Sequence, residues 1–225
     1  MNRIDLAPRP LRLGTRMRIL LALTLTISMA DAAVRIERLP GPGLQLALGR
    51  KGRVHVIWNG SNSATQKPSN GGAPLLYARL QEDGRGFSEQ IDLSGKTHEL
   101  DGGGSIAADG EGRVFVAWHA SRPGSSGETN REVFLAVSTD DGGIFAQERG
   151  ISPPGSGACG CCGLTVLANV RGEVFLLFRT APTSMQRDMA LLRSSDQGTS
   201  FRALLSDPWS INQCPMSSAG LTSSG

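Results

Sequence analysis

The sequence predicts an all-β protein, a β-propeller of four-stranded blades. Three observations carry that reading. A glycine followed by a β-branched and aromatic run recurs at a period of 60 residues. A Ser-x-Asp-x-Gly turn closed by phenylalanine recurs in step with it. The chain of 225 residues also holds 29 glycines, which cluster with serine between short apolar runs, as in proteins of many turns and short strands. A heptad and a collagen period are both lacking, so fibrous classes fall away. No apolar stretch reaches the roughly 18 residues that a membrane-spanning helix needs. A hydrophobic content of 39% is enough for a core.

Residues 1–32 read as a secretory signal peptide rather than as part of the fold. Arg9, Arg12, Arg16 and Arg18 form a basic region, Ile19 to Met29 an apolar one, and Ala30-Asp31-Ala32 a small-x-small cleavage site with Ala33 as the mature start. The expected location is therefore secreted or periplasmic, with no membrane span after cleavage. Five of the 23 Lys+Arg and two of the 20 Asp+Glu lie in this leader, so the remaining charges balance. The mature part shows no lysine or arginine cluster, and nucleic acid is excluded as an expected partner.

The 60-residue period begins at Gly52-Arg53-Val54-His55-Val56-Ile57-Trp58. It repeats at Gly112-Arg113-Val114-Phe115-Val116-Ala117-Trp118 and at Gly172-Glu173-Val174-Phe175-Leu176-Leu177-Phe178. Each copy is a glycine turn and a strand apolar on both faces, so the sheets must be covered on both sides. The second motif reads Ser138-Thr139-Asp140-Asp141-Gly142-Gly143-Ile144-Phe145 and Ser194-Ser195-Asp196-Gln197-Gly198-Thr199-Ser200-Phe201. A degenerate copy runs from Leu80 to Phe87 and lacks the serine. Serine and aspartate oxygens can accept turn N–H groups, glycine can take a positive φ, and the phenylalanine returns the chain to the core. In the second period the strands are expected at Ser105–Ala108, Arg113–His119, Glu132–Ser138 and Ile144–Gly150. Four strands per repeat with both faces buried describe a propeller blade. The blades are expected at about 44–94, 104–150 and 163–206.

The S-x-D-x-G-x-x-F copies resemble Asp-boxes, or BNR repeats, and the chain from Leu44 to Ser206 resembles the sialidase superfamily of six-bladed propellers. The resemblance implies about three blades of six. Gly220-Leu221-Thr222 resembles Gly163-Leu164-Thr165, where the third blade opens, so 214–225 is expected to begin a fourth and the chain to be a fragment. The resemblance also implies glycan-processing, exo-sialidase or glycosidase-like activity in an intact parent. The alternative is a non-catalytic binding or scaffold propeller with a cysteine-rich rim. The expected partner is a glycan or another extracytoplasmic ligand.

In sialidase-like propellers the substrate lies at the end opposite the box turns. Rim candidates there are Asn59, His119 and Arg179 after the second strands, Arg131 with Glu132, and Arg187 with Asp188. Arg131 and Arg187 each precede a box serine by seven residues. The competing reading for each is a solvated rim residue or surface ion pair. The family's Arg-Ile-Pro, whose arginine holds a substrate carboxylate, is not matched. The corresponding stretch is Gly41-Pro42-Gly43-Leu44, and Arg35-Ile36 comes earlier and runs into Glu37. The family's tyrosine nucleophile has one counterpart by residue type, Tyr77, which falls inside a strand and reads as core. No catalytic residue can be assigned.

Cys159-Gly160-Cys161-Cys162 precedes the first strand of the third blade, and Cys214 follows that blade. Cys159 lies 14 residues after Phe145, and Cys214 lies 13 after Phe201, so both occupy equivalent connections. All four are expected to meet at the substrate end. In an exported chain four cysteines read as two disulfides, with three connectivities open. The other reading is a thiolate site for Cu(I) or Zn, although C-x-C-C is not a standard zinc spacing. No other cofactor is expected.

Overall fold

The computed structural model describes residues 43–60, 73–217 and 220–222. The signal peptide, its cleavage site, Arg35-Ile36-Glu37 and Gly41-Pro42 lie outside the described residues. Among the described residues, twelve strands form three antiparallel sheets of four. The first holds β1 (Gln45–Leu48), β2 (Val54–Asn59), β3 (Leu75–Arg79) and β4 (Ile91–Asp92). The second holds β5 (His98–Ala108), β6 (Val114–Ser121), β7 (Glu132–Ser138) and β8 (Arg149–Gly150). The third holds β9 (Thr165–Ala168), β10 (Val174–Arg179), β11 (Met189–Ser194) and β12 (Arg202–Asp207). Each sheet is an up-and-down meander in chain order, the arrangement of a propeller blade. Among the described residues helix is confined to two single 3₁₀ turns, Arg50–Gly52 and Glu128–Asn130. No helix of the described residues is long and apolar enough to cross a membrane.

The apolar character of both faces follows from how the sheets stack. Every residue of β6 is buried. Its Val114, Val116 and Trp118 pack with Ile57, Leu75 and Tyr77 of the first sheet, while Phe115 and Ala117 pack with Leu176, Phe178 and Leu192 of the third. The middle sheet is thus covered on both sides by its neighbours, which is why its central strand carries no polar alternation. Trp118 stacks on Phe134 at 6.2 Å between ring centroids, and its indole N–H donates to Thr97 Oγ1 at 3.2 Å.

Two strands differ from their sequence expectation. β5 begins at His98 rather than Ser105, because register shifts at Asp101 and around the positive-φ pair Gly102 and Gly103 let the strand bend without losing its partner β6. The strand expected over Ile144–Gly150 shrinks to β8. Ile144 faces solvent, and Phe145 turns into the core edge-on to Tyr77 at 4.7 Å. Ala146 N–H donates to the Val137 carbonyl of β7 at 2.9 Å, and the regular ladder with β7 is confined to Arg149 and Gly150. The described residues of 214–225 form no strand.

The two Ser-x-Asp turns are built alike. Ser138 Oγ accepts the Gly142 N–H at 3.0 Å and donates to Asp140 Oδ1 at 2.7 Å. That oxygen in turn accepts the N–H groups of Gly143 and Ile144 at 3.0 and 2.9 Å. Ser194 repeats this, accepting Gly198 N–H at 2.8 Å and donating to Asp196 at 2.6 Å. These bonds hold both aspartates below the usual carboxylate range. Each turn docks on the preceding sheet. Asp141 accepts Arg53 Nε at 2.5 Å, and Arg79 donates to its carbonyl at 2.6 Å. The carbonyl of Gly198 accepts Arg149.

Candidate functional site

The opposite end of the sheets carries the arginines and the cysteines. Arg131 opens β7 from the 3₁₀ turn, Arg179 ends β10, and Arg187 lies just before β11. Their residues are only 8%, 3% and 7% exposed, so none is the solvated rim residue that sequence reasoning allows for. A buried guanidinium needs acceptors. Arg131 faces Asp101 at 3.4 Å and the Ala158 carbonyl at 3.4 Å. Arg187 pairs with Glu128 at 2.8 Å. Arg179 donates to the Arg187 carbonyl at 2.5 Å and to Ser217 Oγ at 2.9 Å, with its guanidinium 4.6 Å above the Trp209 ring. Asp101, Glu128 and Trp209 are site residues that sequence reasoning missed. Asp101 lies at the bend of β5, Glu128 in the 3₁₀ turn before β7 and Trp209 after β12, so they share no repeat position.

His119 follows Trp118 in β6 and is wholly buried. Burial, reinforced by the Arg131 charge and partly offset at the Asp101 backbone, lowers its pKa to about 3. It is therefore a neutral imidazole at physiological pH. Of the remaining rim candidates, Asp188 touches this group through Trp209, and Glu132 and Asn59 make their contacts elsewhere. Glu132 forms a two-pronged pair with Arg122 at 2.6 and 3.0 Å, and Arg122 lies 5.4 Å over Phe134. Asp188 accepts the Trp209 N–H at 2.9 Å. Asn59 ends β2, beside Gly43 and Gly103.

Tyr77 is fully buried in β3, and its hydroxyl sits 2.8 Å from His55 Nδ1. Burial raises its pKa, with the Arg79 charge opposing. His55 Nε2 lies 3.5 Å from Asp141, and burial lowers the His55 pKa against the pull of that carboxylate. This Tyr–His–Asp line joins the Ser-x-Asp turn of the second sheet to the first, at the end remote from the arginines.

The cysteine loop is threaded among the arginines. Cys159 N–H donates to the Arg179 carbonyl at 3.0 Å, and Ala158 N–H donates to the Glu128 carbonyl at 2.9 Å. The four cysteines converge: Cys159 Sγ lies 3.3 Å from that of Cys161, 3.5 Å from Cys162 and 3.6 Å from Cys214, and Cys162 lies 4.0 Å from Cys214. Cys161 and Cys214 are joined as a disulfide, while Cys159 and Cys162 are buried thiols. Burial pushes the Cys159 thiol up to about 12, and the Cys162 thiol beside it adds to the shift.

Solved structures of similar fold include the Hadza microbial sialidase Hz136. It matches at a TM-score of 0.53 and 13% identity, over 73% of this chain and 37% of that one. The Trypanosoma rangeli sialidase in complex with the inhibitor DANA matches at 0.50 and 9% identity, over 72% and 30%. A protein of unknown function from Dyadobacter fermentans matches at 0.50 and 11% identity, over 75% and 55%. The chain thus spans between about a third and just over half of the lengths it matches. No family model and no curated protein matches it. The chain has a sialidase-like fold.

Proposed function

We propose that these three sheets are blades of an exported, sialidase-like propeller that receives an acidic glycan at the arginine-bearing end, and that an intact parent processes such glycans as an exo-sialidase-type glycosidase. The observation that carries the reading is the gathering of Arg131, Arg179 and Arg187 beside Trp209 at one end of adjacent sheets. Guanidinium groups pair with a sugar carboxylate in two-pronged fashion, and an indole face suits the apolar face of a sugar ring. Arg179 is the arginine best suited to such a ligand, because it is held by a carbonyl, a hydroxyl and an aromatic face rather than by a carboxylate.

The same geometry argues against turnover by these blades alone. The chain's single tyrosine is locked in the core against His55 and lies at the other end. A second reading, a non-catalytic scaffold, draws on the internal pairing of Arg131 with Asp101 and Arg187 with Glu128. Two measurements on the purified mature chain separate these readings. A fluorogenic sialoside is expected to release no leaving group above a blank preparation. Sialyllactose is expected to bind in ligand-observed NMR, with Arg179→Ala weakening it by about ten-fold or more. No binding by the wild type leaves the scaffold reading standing and the glycan reading refuted.

A further inference from the structure

The cysteine cluster supports an assignment that does not depend on the glycan reading. We propose that, when reduced, Cys159, Cys161, Cys162 and Cys214 form a tetrathiolate site for one soft d10 cation, Zn(II) or Cu(I). A disulfide alone accounts for two of the four. It leaves Cys159 and Cys162 wholly buried and directed at the same point, with their sulfurs 3.5 Å apart.

The geometry is that of a ligand set. The four sulfurs all lie within 4.8 Å of one another. A tetrahedral ion with metal–sulfur bonds of about 2.3 Å sets its sulfurs about 3.8 Å apart. The four contacts involving Cys159 or Cys162 range from 3.3 to 4.0 Å and bracket that value. The Cα atoms of Cys161 and Cys214 stand 7.4 Å apart, wider than the roughly 4.4–6.8 Å usual for a bridge.

The loop is shaped in advance. Cys162 N–H donates to the Cys159 carbonyl at 3.3 Å, which closes a tight turn around the two ligands. A Cβ at Gly160 would strike the Asp101 side chain, and one at Gly102 would strike the Gly160 carbonyl, so both glycines allow this loop to sit directly on β5. Cys214 arrives from the equivalent connection of the next sheet, 52 residues beyond Cys162.

The surroundings match in charge. Four thiolates around Zn(II) carry a net charge of about −2, and around Cu(I) more. Arg131 donates to the carbonyl just before Cys159, and the carbonyl of Arg179 accepts the Cys159 N–H. Arg187, which is also buried, feeds its own carbonyl to Arg179. Asp101 and Glu128 pair with Arg131 and Arg187, so Arg179, held by a carbonyl, a hydroxyl and a ring, is the buried cation that lowers the cost of placing a dianionic centre there. Ala181, also buried, completes the wall beside Cys159 and Cys162, while Cys161 is exposed and leaves the site open to a metal ion from solvent.

The chemistry balances with a dithiol as reductant. The dithiol gives two electrons and two protons to Cys161–Cys214 and closes to its own cyclic disulfide. The four thiols then release four protons as they bind the metal. The resulting site would staple the connection between the second and third sheets to the segment after the third.

The test uses the purified mature chain, reduced with a dithiol and freed of it under anaerobic conditions, then titrated with Co(II). One equivalent is expected to bind, with intense tetrahedral d–d bands and sulfur-to-cobalt charge transfer. One equivalent of Zn(II) should displace it, or Cu(I) should in a parallel titration. Cys214→Ser should lower Co(II) affinity by at least ~100-fold. Since that variant could fail to fold, the wild type is also measured by native mass spectrometry before and after zinc addition, where a mass gain of one metal ion is expected. Weak octahedral bands, or absence of a one-metal adduct in the reduced wild type, would overturn the assignment.

Discussion

His119 shows at the level of one residue how this fold sets a charge. It is enclosed in β6, with Arg131 nearby and the Asp101 backbone as its partial counterweight. Its folded pKa of about 3 lies below the ordinary 6.5, so below pH 6.5 the unfolded chain takes up a proton that the folded chain refuses. Stability from this group is therefore complete above pH 6.5 and drains away as pH falls toward 3, at up to about 1.4 kcal/mol per unit. His55, also lowered by burial, adds a loss of the same sign. The expected result is a fall of about 2 kcal/mol from His119 alone between pH 6.5 and 5, read from urea midpoints. His119→Gln should flatten that fall, and an unchanged pH dependence would refute the account. The lowered carboxylates of Asp140 and Asp196 titrate below this window and leave it untouched.

The arginines were legible in sequence because Arg131 and Arg187 keep a fixed seven-residue spacing to a turn serine. Their burial was not, since it depends on partners from other elements, Asp101 of β5 and Glu128 of the 3₁₀ turn. Glu128 reaches Arg187 across the boundary between two sheets, and no periodic signal marks such a pair.

At the scale of elements, the Ser-x-Asp turn shows what the motif contributes. Ser138 Oγ is the acceptor for the buried Gly142 N–H, and Gly142 has φ 78°. Ser138→Ala removes that acceptor from a wholly buried position, so the loss should be about 1–3 kcal/mol. Urea unfolding should show a lower midpoint at unchanged slope, whereas Ser126→Ala, at an exposed position, should stay within about 0.5 kcal/mol of wild type. Equal midpoints would mean that the turn is held without its serine. The first sheet shows such a substitute. Leu80 stands in the serine position, and the turn closes through the Gln81 N–H on the Gly86 carbonyl and a bridge between Leu80 and Phe87.

The four-strand meander could be read from the sequence because each glycine turn and each phenylalanine anchor leaves a residue-type signature. The short β8 could not. Ile144 through Glu148 has the composition of a strand, but the demand that Phe145 reach Tyr77 leaves this stretch only the single Ala146 hydrogen bond to β7 in place of a continuous ladder. That demand comes from the neighbouring sheet, and it has no local trace.

At the scale of the molecule, stability comes from stacking sheets, and stacking leaves a face to account for. The third sheet turns Val166, Val174, Leu176, Phe178 and Leu192 toward the second. The alternate residues form a row on its other face: Leu177 opposes Leu191, and Leu191 opposes Leu205. Leu205 is 60% exposed there, and Leu177 and Leu191 are only half-buried. An apolar row beside an edge strand whose outer side has no partner sheet among the described residues is a template for association. The purified chain from Ala33 onward is therefore expected to self-associate in a concentration-dependent way, seen as a rising weight-average mass in light scattering coupled to size exclusion. Leu205→Glu places a charge in the row without removing a core contact of the stacked face, and should shift the chain toward monomer while the β-sheet circular dichroism stays unchanged. A wild type that remains monomeric at about 100 µM, or a variant that associates as strongly as the wild type, would show that this face does not drive assembly.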